Sequence, residues 1–185
     1  MSLSKNPASL CRVETLDPTA HAAPLFAALH GPGNAALWRH LREGPAESVA
    51  ALVEHLTEWT ALPHVRAYVF RTPAGEVAGM GARLWREISD HSTLQPGPYE
   101  ELAAIVFHAC YHGTGLPRQG VALLIEMSLS NRTLNGCLWR CSIDNVASDR
   151  FARKLGFRRY ASGPDGTAKG VPRHSYFYVL KRDTA

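Results

Sequence analysis

The chain has 185 residues, 45% of them hydrophobic and 19% charged, which excludes a disordered chain and suits one globular domain. Its apolar runs fall short of the ~20 residues that a membrane-spanning helix needs, so we expect no membrane partner. The net charge of +4 comes from basic residues that are mostly scattered, so we expect no nucleic-acid partner.

The N-terminal third is predicted to be mostly helical after one strand. Its opening residues (MSLSKNPASLCR) lack the apolar segment of a secretion signal, so we expect a cytoplasmic protein. Asp17 is a good N-cap, and Pro18 suits the first position of a helix. The spacing of the apolar residues predicts a strand over 10–16 and helices over 18–30 and 49–62, and a short further helix is possible over 35–42.

The remainder is predicted to be a sheet interrupted by two helices. Strands are predicted over residues 65–71, 76–86, 101–107, 137–142, 157–160 and 176–180, with helices over 117–130 and 146–155. The order β-α-α-β-β-β-α-β-α-β-β indicates an α/β (α+β) fold in which helices flank one mixed, mostly antiparallel sheet. We expect residues 1–185 to form a single domain, with residues 1–9 flexible.

A glycine-containing loop, His112-Gly-Thr-Gly-Leu-Pro-Arg-Gln119, separates the fourth predicted strand from the helix that follows. Glycine lets the backbone approach a phosphate closely, and the N-terminus of a helix offers unpaired N–H groups to an anion. The loop lacks the G-K-[ST] ending of a P-loop and the third glycine of the dinucleotide fingerprint. It predicts a pyrophosphate site, although an ordinary strand-to-helix turn explains the same glycines.

A second segment, Asp144-Asn-Val-Ala-Ser148, opens the helix that continues to Lys154-Leu-Gly-Phe157. Asn145 and Ser148 lie near the start of that helix, where either residue suits a capping role. The glycine loop, this segment and their order along the chain together resemble the GNAT superfamily of acetyl-CoA-dependent N-acyltransferases. Within that superfamily the chain is most similar to the RimJ/RimL group, which acetylates the N-termini of ribosomal proteins.

The resemblance implies a binding site for acetyl-CoA. The pyrophosphate would lie on the loop, and the pantetheine arm would run along the end of the fourth strand, with Asn145 near its thiol. The cofactor-binding residues implied in this way are Val106, Phe107, His108, His112, Gly113, Thr114, Gly115, Leu116, Pro117, Arg118, Asn145 and Ser148. Pro117 departs from the family pattern because it removes one backbone donor from the loop.

The resemblance also implies two catalytic residues. Ser148 matches the serine that protonates the departing thiolate in the RimJ/RimL group, and Glu101, in Glu101-Leu-Ala103, matches the family glutamate that begins the fourth strand and acts as a base. A backbone N–H near His108 would stabilise the oxyanion. The tyrosine acid of many GNAT enzymes is replaced by Ala152, and residues 161–172 hold no carboxylate that aligns with the one the group carries there.

The residues leave several alternatives open. His108 and His112 lack the glutamate of the H-E-x-x-H pattern, so we expect no metal ion. The amine acceptor is a peptide N-terminus or a small molecule, and a homodimer is possible. Pro117 and the missing tyrosine favour one alternative, a non-catalytic acyl-CoA-binding or sensing module.

Overall fold

The computed structural model describes residues 11–31, 33–89, 91 and 93–182. The segment 1–9 that we expected to be flexible lies outside the described residues, as do residue 10 of the first predicted strand and Pro32. The strands are β1 (Arg12–Thr15), β2 (Val65–Arg71), β3 (Val77–Ile88), β4 (Gly97–Phe107), β5 (Gly136–Ser142), β6 (Arg158–Ala168) and β7 (Val171–Lys181). They form one sheet in the order β1-β2-β3-β4-β5-β7-β6.

Only one strand pair of this sheet is parallel in the described part of the chain. That pair is β4 with β5, and every other neighbouring pair is antiparallel. The crossover between the two parallel strands is a helix, α3 (Gly115–Ser130). The predicted fold class is confirmed: a mixed, mostly antiparallel sheet is flanked by helices in the predicted order.

The helices begin where side chains can cap them. Asp17 caps α1 (Pro18–Leu25) by accepting the N–H of Ala20 at 3.0 Å, and Ser48 caps α2 (Val49–Ala61) by accepting the N–H of Ala51 at 3.1 Å. Asn145 begins α4 (Val146–Lys154). A π-helical turn (Phe26–His30) continues α1, and the helix expected over 35–42 is a 3₁₀ turn at Ala35–Trp38. None of the described helices is long and apolar enough to cross a membrane.

Two buried clusters lie on opposite faces of the sheet because successive side chains of a strand point in opposite directions. Phe70 of β2 belongs to a cluster that includes Val121 of α3, whereas its neighbour Val69 packs in a second cluster with Leu25 of α1 and Leu56 of α2. Helices α1 and α2 therefore cover one face, and α3 covers the other.

Two strand boundaries differ from the prediction in ways that affect the site. Residues 161–172, which lie between the last two predicted strands, form the half of a long β6–β7 hairpin that contains its turn, where Lys169 and Gly170 have positive φ. The glycines and prolines of this segment hid its pairing, because both residues are uncommon inside strands. Strand β4 begins at Gly97 rather than at Glu101, so Glu101 lies within the strand and not at its start.

Candidate active site

Strands β4 and β5 separate partway along their length. They pair only from Glu100 to Leu102 on β4 and from Cys137 to Trp139 on β5, although β4 continues to Phe107 and β5 to Ser142. Beyond the last pair, β4 presents an open edge (residues 103–107) toward β5. A cavity of about 650 Å³, here called the central cavity, lies at this separation and is lined by residues of β3, β4, β5, α2, α4 and the segment before α2.

A β-bulge shapes the open edge of β4. Ala103 pairs with Ala82 and Val106 pairs with Met80, so two residues of β4 oppose the single residue Gly81 of β3. The extra residue, Ala104, has φ of 51°, which is uncommon for a residue other than glycine. A bulge bends its strand and leaves backbone groups unpaired. Here it turns the end of β4 away from β5 at the wall of the central cavity.

The end of β4 offers backbone groups on one side only. The N–H of His108 donates to the carbonyl of Ala78 on β3 at 2.9 Å, so it is not available to an oxyanion. Because these groups alternate along a strand, the N–H of Phe107 faces the opposite, open side. The carbonyl of Phe107 lies 3.0 Å from Nε2 of His112. Of Val106, Phe107 and His108, it is thus Phe107 whose backbone faces the side on which an extended ligand could pair, whereas Val106 and His108 turn theirs toward β3.

The glycine loop leads directly into α3. Gly113 has φ of +80° and no atom lies within 4 Å of a Cβ placed there, so its side facing solvent is open. Thr114 is the N-cap: its Oγ1 accepts the N–H of Leu116 at 3.3 Å and donates to the carbonyl of Tyr111 at 2.7 Å. Gly115 begins the helix. Because Thr114 already accepts the N–H of Leu116, Gly115 supplies the N–H of this first turn that is left for an anion, beside the exposed Gly113.

Within that turn, Pro117 is the third helical residue. It has no N–H, so the first turn of α3 offers one donor fewer than an ordinary helix. Arg118 lies in the same turn, and its cationic side chain is an additional group for an anion.

On the other side of the separation, the start of α4 brings Ser148 and Asn145 to the central cavity. The Oδ1 atom of Asn145 accepts the N–H of Ser148 at 3.1 Å, so Asn145 is the cap and Ser148 is not. The Oγ atom of Ser148 accepts the indole N–H of Trp139 at 3.0 Å. Since a hydroxyl has one proton to donate, Trp139 holds the oxygen of Ser148 while its O–H can still donate; the sulfur of Cys141 also lies within reach of this O–H.

Glu101 is buried at the floor of the central cavity, where it is 7% exposed. Its Oε2 accepts a hydrogen bond from Nε of Arg86 at 2.7 Å, and its Oε1 lies 2.9 Å from Nη2 of Arg140. A carboxylate has about four acceptor positions, so it can still accept from a further donor. The candidate base is therefore part of a charged network rather than an isolated carboxylate.

A second buried carboxylate extends that network. Oδ1 of Asp165 accepts from Nη2 of Arg42 at 2.9 Å and from Nη1 of Arg140 at 2.6 Å. Oδ2 accepts from Oγ of Ser175 at 2.8 Å and lies 3.5 Å from Nε of Arg173. Burial holds the pKa of Arg173 below its ordinary value despite the opposing effect of Asp165. We call the four arginines, with Glu101 and Asp165, the arginine cluster.

The sequence analysis missed this cluster. It found no carboxylate to assign in residues 161–172, yet Asp165 of that segment is buried among arginines. One signal was present: Arg140 interrupts an otherwise apolar strand, and a charged residue is rarely buried without a partner. The other members of the cluster come from β3, β4, β6, β7 and the segment before α2, so no local spacing along the chain could identify them.

His30 is a further wall residue that the sequence did not single out. Its Nδ1 accepts the N–H of Ala46 at 2.7 Å, and its ring stacks on Phe26 and contacts Trp38. Burial lowers the pKa of His30 to about 4, so at neutral pH Nε2 carries the single ring proton. That Nε2 is buried and has no hydrogen-bond partner among the described residues.

The sequence and the fold are similar to known proteins. Residues 13–158 match the family model of the acetyltransferase (GNAT) domain. No curated protein matches the chain significantly. A probable GNAT-family acetyltransferase from Chromobacterium violaceum superposes with a TM-score of 0.80 at 23% identity, over 98% of this chain and 90% of that one.

Two other solved structures have stated substrates. The acetyltransferase from Salmonella typhimurium that modifies the N-terminal serine of ribosomal protein L7/L12 has a TM-score of 0.74 at 16% identity, over 95% of this chain and 97% of that one. Spermidine N-acetyltransferase from Vibrio cholerae, in complex with CoA and spermine, has a TM-score of 0.72 at 14% identity, over 94% and 96%. At these identities the likeness shows a shared fold and leaves the substrate open.

Proposed function

Since the chain belongs to the GNAT acetyltransferase family, as its match over residues 13–158 shows, we propose that it transfers the acetyl group of acetyl-CoA to a primary amine. The amine belongs to a protein N-terminus or to a small molecule. The observation that carries this proposal is the separation of β4 from β5 beside the N-terminus of α3. It provides an edge for an extended arm, a site for phosphates and a cavity for an acceptor in one continuous region.

Acetyl-CoA fits the residues along this path. The backbone N–H groups of Gly113 and Gly115 are available to the pyrophosphate, whereas those of His112 and Thr114 already donate to Ala109 and Tyr111. Arg118 adds a positive charge. The pantetheine arm pairs with the open edge of β4 near Phe107, as an added strand would. The loss of one donor at Pro117 is compatible with binding because the N–H groups of Gly113 and Gly115 remain.

The transfer needs a neutral amine, a donor for the oxyanion and a proton for the leaving thiolate. The amine nitrogen attacks the thioester carbonyl, a C–N bond forms and the C–S bond breaks. Ser148 donates its proton to the sulfur, with Trp139 holding the hydroxyl oxygen in place. Glu101 accepts the proton of the amine directly or through water, and Arg86 and Arg140 fix the orientation of its carboxylate. Glu101 then releases this proton to water and Ser148 regains one from water, so both residues return to their starting states.

Further features of the proposal extend the family assignment. We assign the chain to the RimJ/RimL type, place it in the cytoplasm and take residues 1–185 as a single acetyltransferase domain. A homodimer is part of the same proposal. These features rest on the sequence resemblance stated above and on the similar folds of the ribosomal-protein and spermidine acetyltransferases.

One observation favours a second function. Both oxygens of Glu101 are already paired with arginines, which is the arrangement of a structural carboxylate as much as of a base. A module that binds acyl-CoA without transferring the acyl group would keep the open edge of β4 and the glycine loop. It would have no need of a free O–H at Ser148.

Binding and turnover distinguish these functions. We expect calorimetry to show acetyl-CoA binding, with the unfolding free energy raised by ~2.7 kcal/mol at a hundredfold excess over Kd. A thiol-release assay against peptides and small amines should then show acceptor-dependent production of CoA. Binding without turnover on any acceptor would support the sensing module, and no binding at millimolar acetyl-CoA would rule out both functions.

A further inference from the structure

The arginine cluster carries more positive than negative charge. Four guanidinium groups, from Arg42, Arg86, Arg140 and Arg173, face two carboxylates, those of Glu101 and Asp165. All of these residues except Asp165 line the central cavity. Positive charges in a partly buried site are stable only when they are paired or solvated. The surplus therefore favours an anionic ligand in the cavity.

Arg86 is the member of the cluster best placed to meet such a ligand. Its Nε pairs with Glu101, while its two Nη atoms donate to no described residue. Its side chain is 37% exposed, against 25% for Arg140 and 12% for Arg173, so a ligand entering the cavity can reach it. Arg42 is more exposed, at 43%, but both of its Nη atoms already donate to Thr167 and Asp165. A guanidinium group with unused donors and a fixed orientation suits a carboxylate, which accepts two parallel hydrogen bonds.

His30 provides an independent observation that points to the same chemistry. It is 8% exposed, it lines the central cavity, and its Nε2–H has no partner among the described residues. A buried N–H without an acceptor costs free energy, so such a group normally has a partner in the working state. The partner must be a hydrogen-bond acceptor, which an oxygen anion is and an ammonium group is not.

The carboxylates elsewhere around the cavity do not cancel this charge. Glu43 and Glu47 also line it, but both are exposed; the side chain of Glu43 is 68% exposed and lies 3.2 Å from His55. Charges in contact with water are screened over about 8–10 Å at moderate salt. Glu43 and Glu47 therefore leave the interior of the cavity positively charged. At its mouth they can attract the cationic form of an amine.

We propose that the acceptor is an amine that also carries a carboxylate, and that Arg86 binds this carboxylate in the central cavity. The inference rests on the proposed acetyl transfer and narrows its substrate class. A free amino acid and a peptide with an acidic side chain next to its N-terminus offer the same chemistry. A polyamine has only cationic groups, which the arginine cluster repels.

The test compares acceptors that differ only in charge. Glycine is compared with glycinamide, and the peptide Ser-Glu-Ala-amide is compared with Ser-Gln-Ala-amide, with spermidine as a third class. Rates are expressed per unprotonated amine, because a neighbouring carboxylate raises the pKa of an amine. We expect kcat/KM to be about 10- to 100-fold higher for the anionic member of at least one pair. The pair that shows the difference tells whether the carboxylate belongs to a free amino acid or to an acidic side chain next to a peptide N-terminus.

Arg86→Gln links the preference to the site. This variant should remove most of the difference in kcat/KM within the pair. Because Arg86 also orients Glu101, kcat/KM for the neutral member should fall as well, so the ratio within the pair is the quantity that tests the site. Arg86→Lys should keep part of it, since a charge remains but the paired donors are lost. Arg12→Gln, on the exposed surface of β1, should leave every rate unchanged.

Each failure has its own meaning. Equal rates within both pairs, or spermidine as the best acceptor, would overturn this proposal and leave acetyl transfer intact. If the protein binds acetyl-CoA but acetylates nothing, acetyl transfer fails. The proposal is then decided by calorimetry on the CoA-bound protein, where glycine or Ser-Glu-Ala-amide must bind at least tenfold more tightly than its neutral partner. Equal or absent binding would overturn it.

Discussion

At the loop between β4 and α3, the groups offered to a ligand are backbone N–H groups, whereas across the central cavity they are guanidinium groups from four separate parts of the chain. Backbone groups are fixed by the helix and the cap at Thr114, and most side-chain substitutions leave them in place. The arginine cluster depends on pairing between side chains, so single substitutions should disturb it strongly. The two regions should therefore respond differently to mutation, salt and pH.

The largest expected effect lies where the two regions meet, at Ser148. Ser148→Ala should lower kcat by ~10²–10⁴-fold, because the thiolate would leave without its proton donor, while acetyl-CoA affinity stays within a few-fold. Steady-state kinetics and calorimetry on the same sample measure both quantities. Ser130→Ala, at the exposed end of α3, is the matched control. A parent-like kcat would show that Ser148 is not the acid.

The next effect concerns the fold of the acceptor region. Asp165→Asn should reduce the unfolding free energy by about 3–5 kcal/mol, since it leaves Arg173 without its buried counter-charge and Arg140 with Glu101 alone. Glu43→Gln, which removes the exposed pair with His55, should cost less than ~1 kcal/mol. Urea denaturation of both variants measures this contrast. Equal losses would mean that the arginine cluster does not stabilise the fold.

The same contrast explains what the sequence could predict. The glycine loop, the cap at Asn145 and the element order follow from local patterns, because each depends on residues a few positions apart. The arginine cluster joins residues as distant as Arg42 and Asp165, and no pattern along the chain encodes such a pairing. The separation of β4 from β5 was implied only by resemblance, and the bulge at Ala104 has no turn residue to mark it.

Substitutions at two glycines test whether the loop between β4 and α3 binds acetyl-CoA through its backbone groups. Gly115→Val should weaken acetyl-CoA binding by about 10- to 100-fold, because a branched side chain in the first turn of α3 blocks approach to its N–H groups. Valine is acceptable to the helix at that position, so the melting temperature should change little. Calorimetry and thermal unfolding on one sample separate the two quantities.

Gly113→Ala is the matched control for that substitution. It adds a methyl group where no atom lies within 4 Å, but the residue has φ of +80°. We expect a loss of ~1–2 kcal/mol in stability from the strained backbone. Acetyl-CoA affinity should fall less than in Gly115→Val. If Gly115→Val lowers stability and leaves affinity intact, the loop is an ordinary turn and the phosphate site is misplaced.

The smallest expected effect is a loss of unfolding free energy at acidic pH, caused by His30 at the wall of the central cavity. The folded-state pKa of His30 is lowered to about 4 from its ordinary 6.5, because its ring is buried. Between these values the unfolded chain binds a proton that the folded chain does not, so the stabilisation present above pH 6.5 is lost as the pH falls toward 4. We expect ~1–2 kcal/mol less unfolding free energy at pH 5 than at pH 7 from this residue.

The variant His30→Gln tests this contribution. It retains an acceptor for the N–H of Ala46 but has no titrating ring, so its unfolding free energy, measured by urea denaturation, should depend less on pH by that amount. His174→Gln, which changes an exposed residue, should keep the parent dependence. If His30→Gln and the parent lose stability equally between pH 7 and 5, then His30 accepts its proton in the folded state, and its Nε2–H gives no information about the charge of the acceptor.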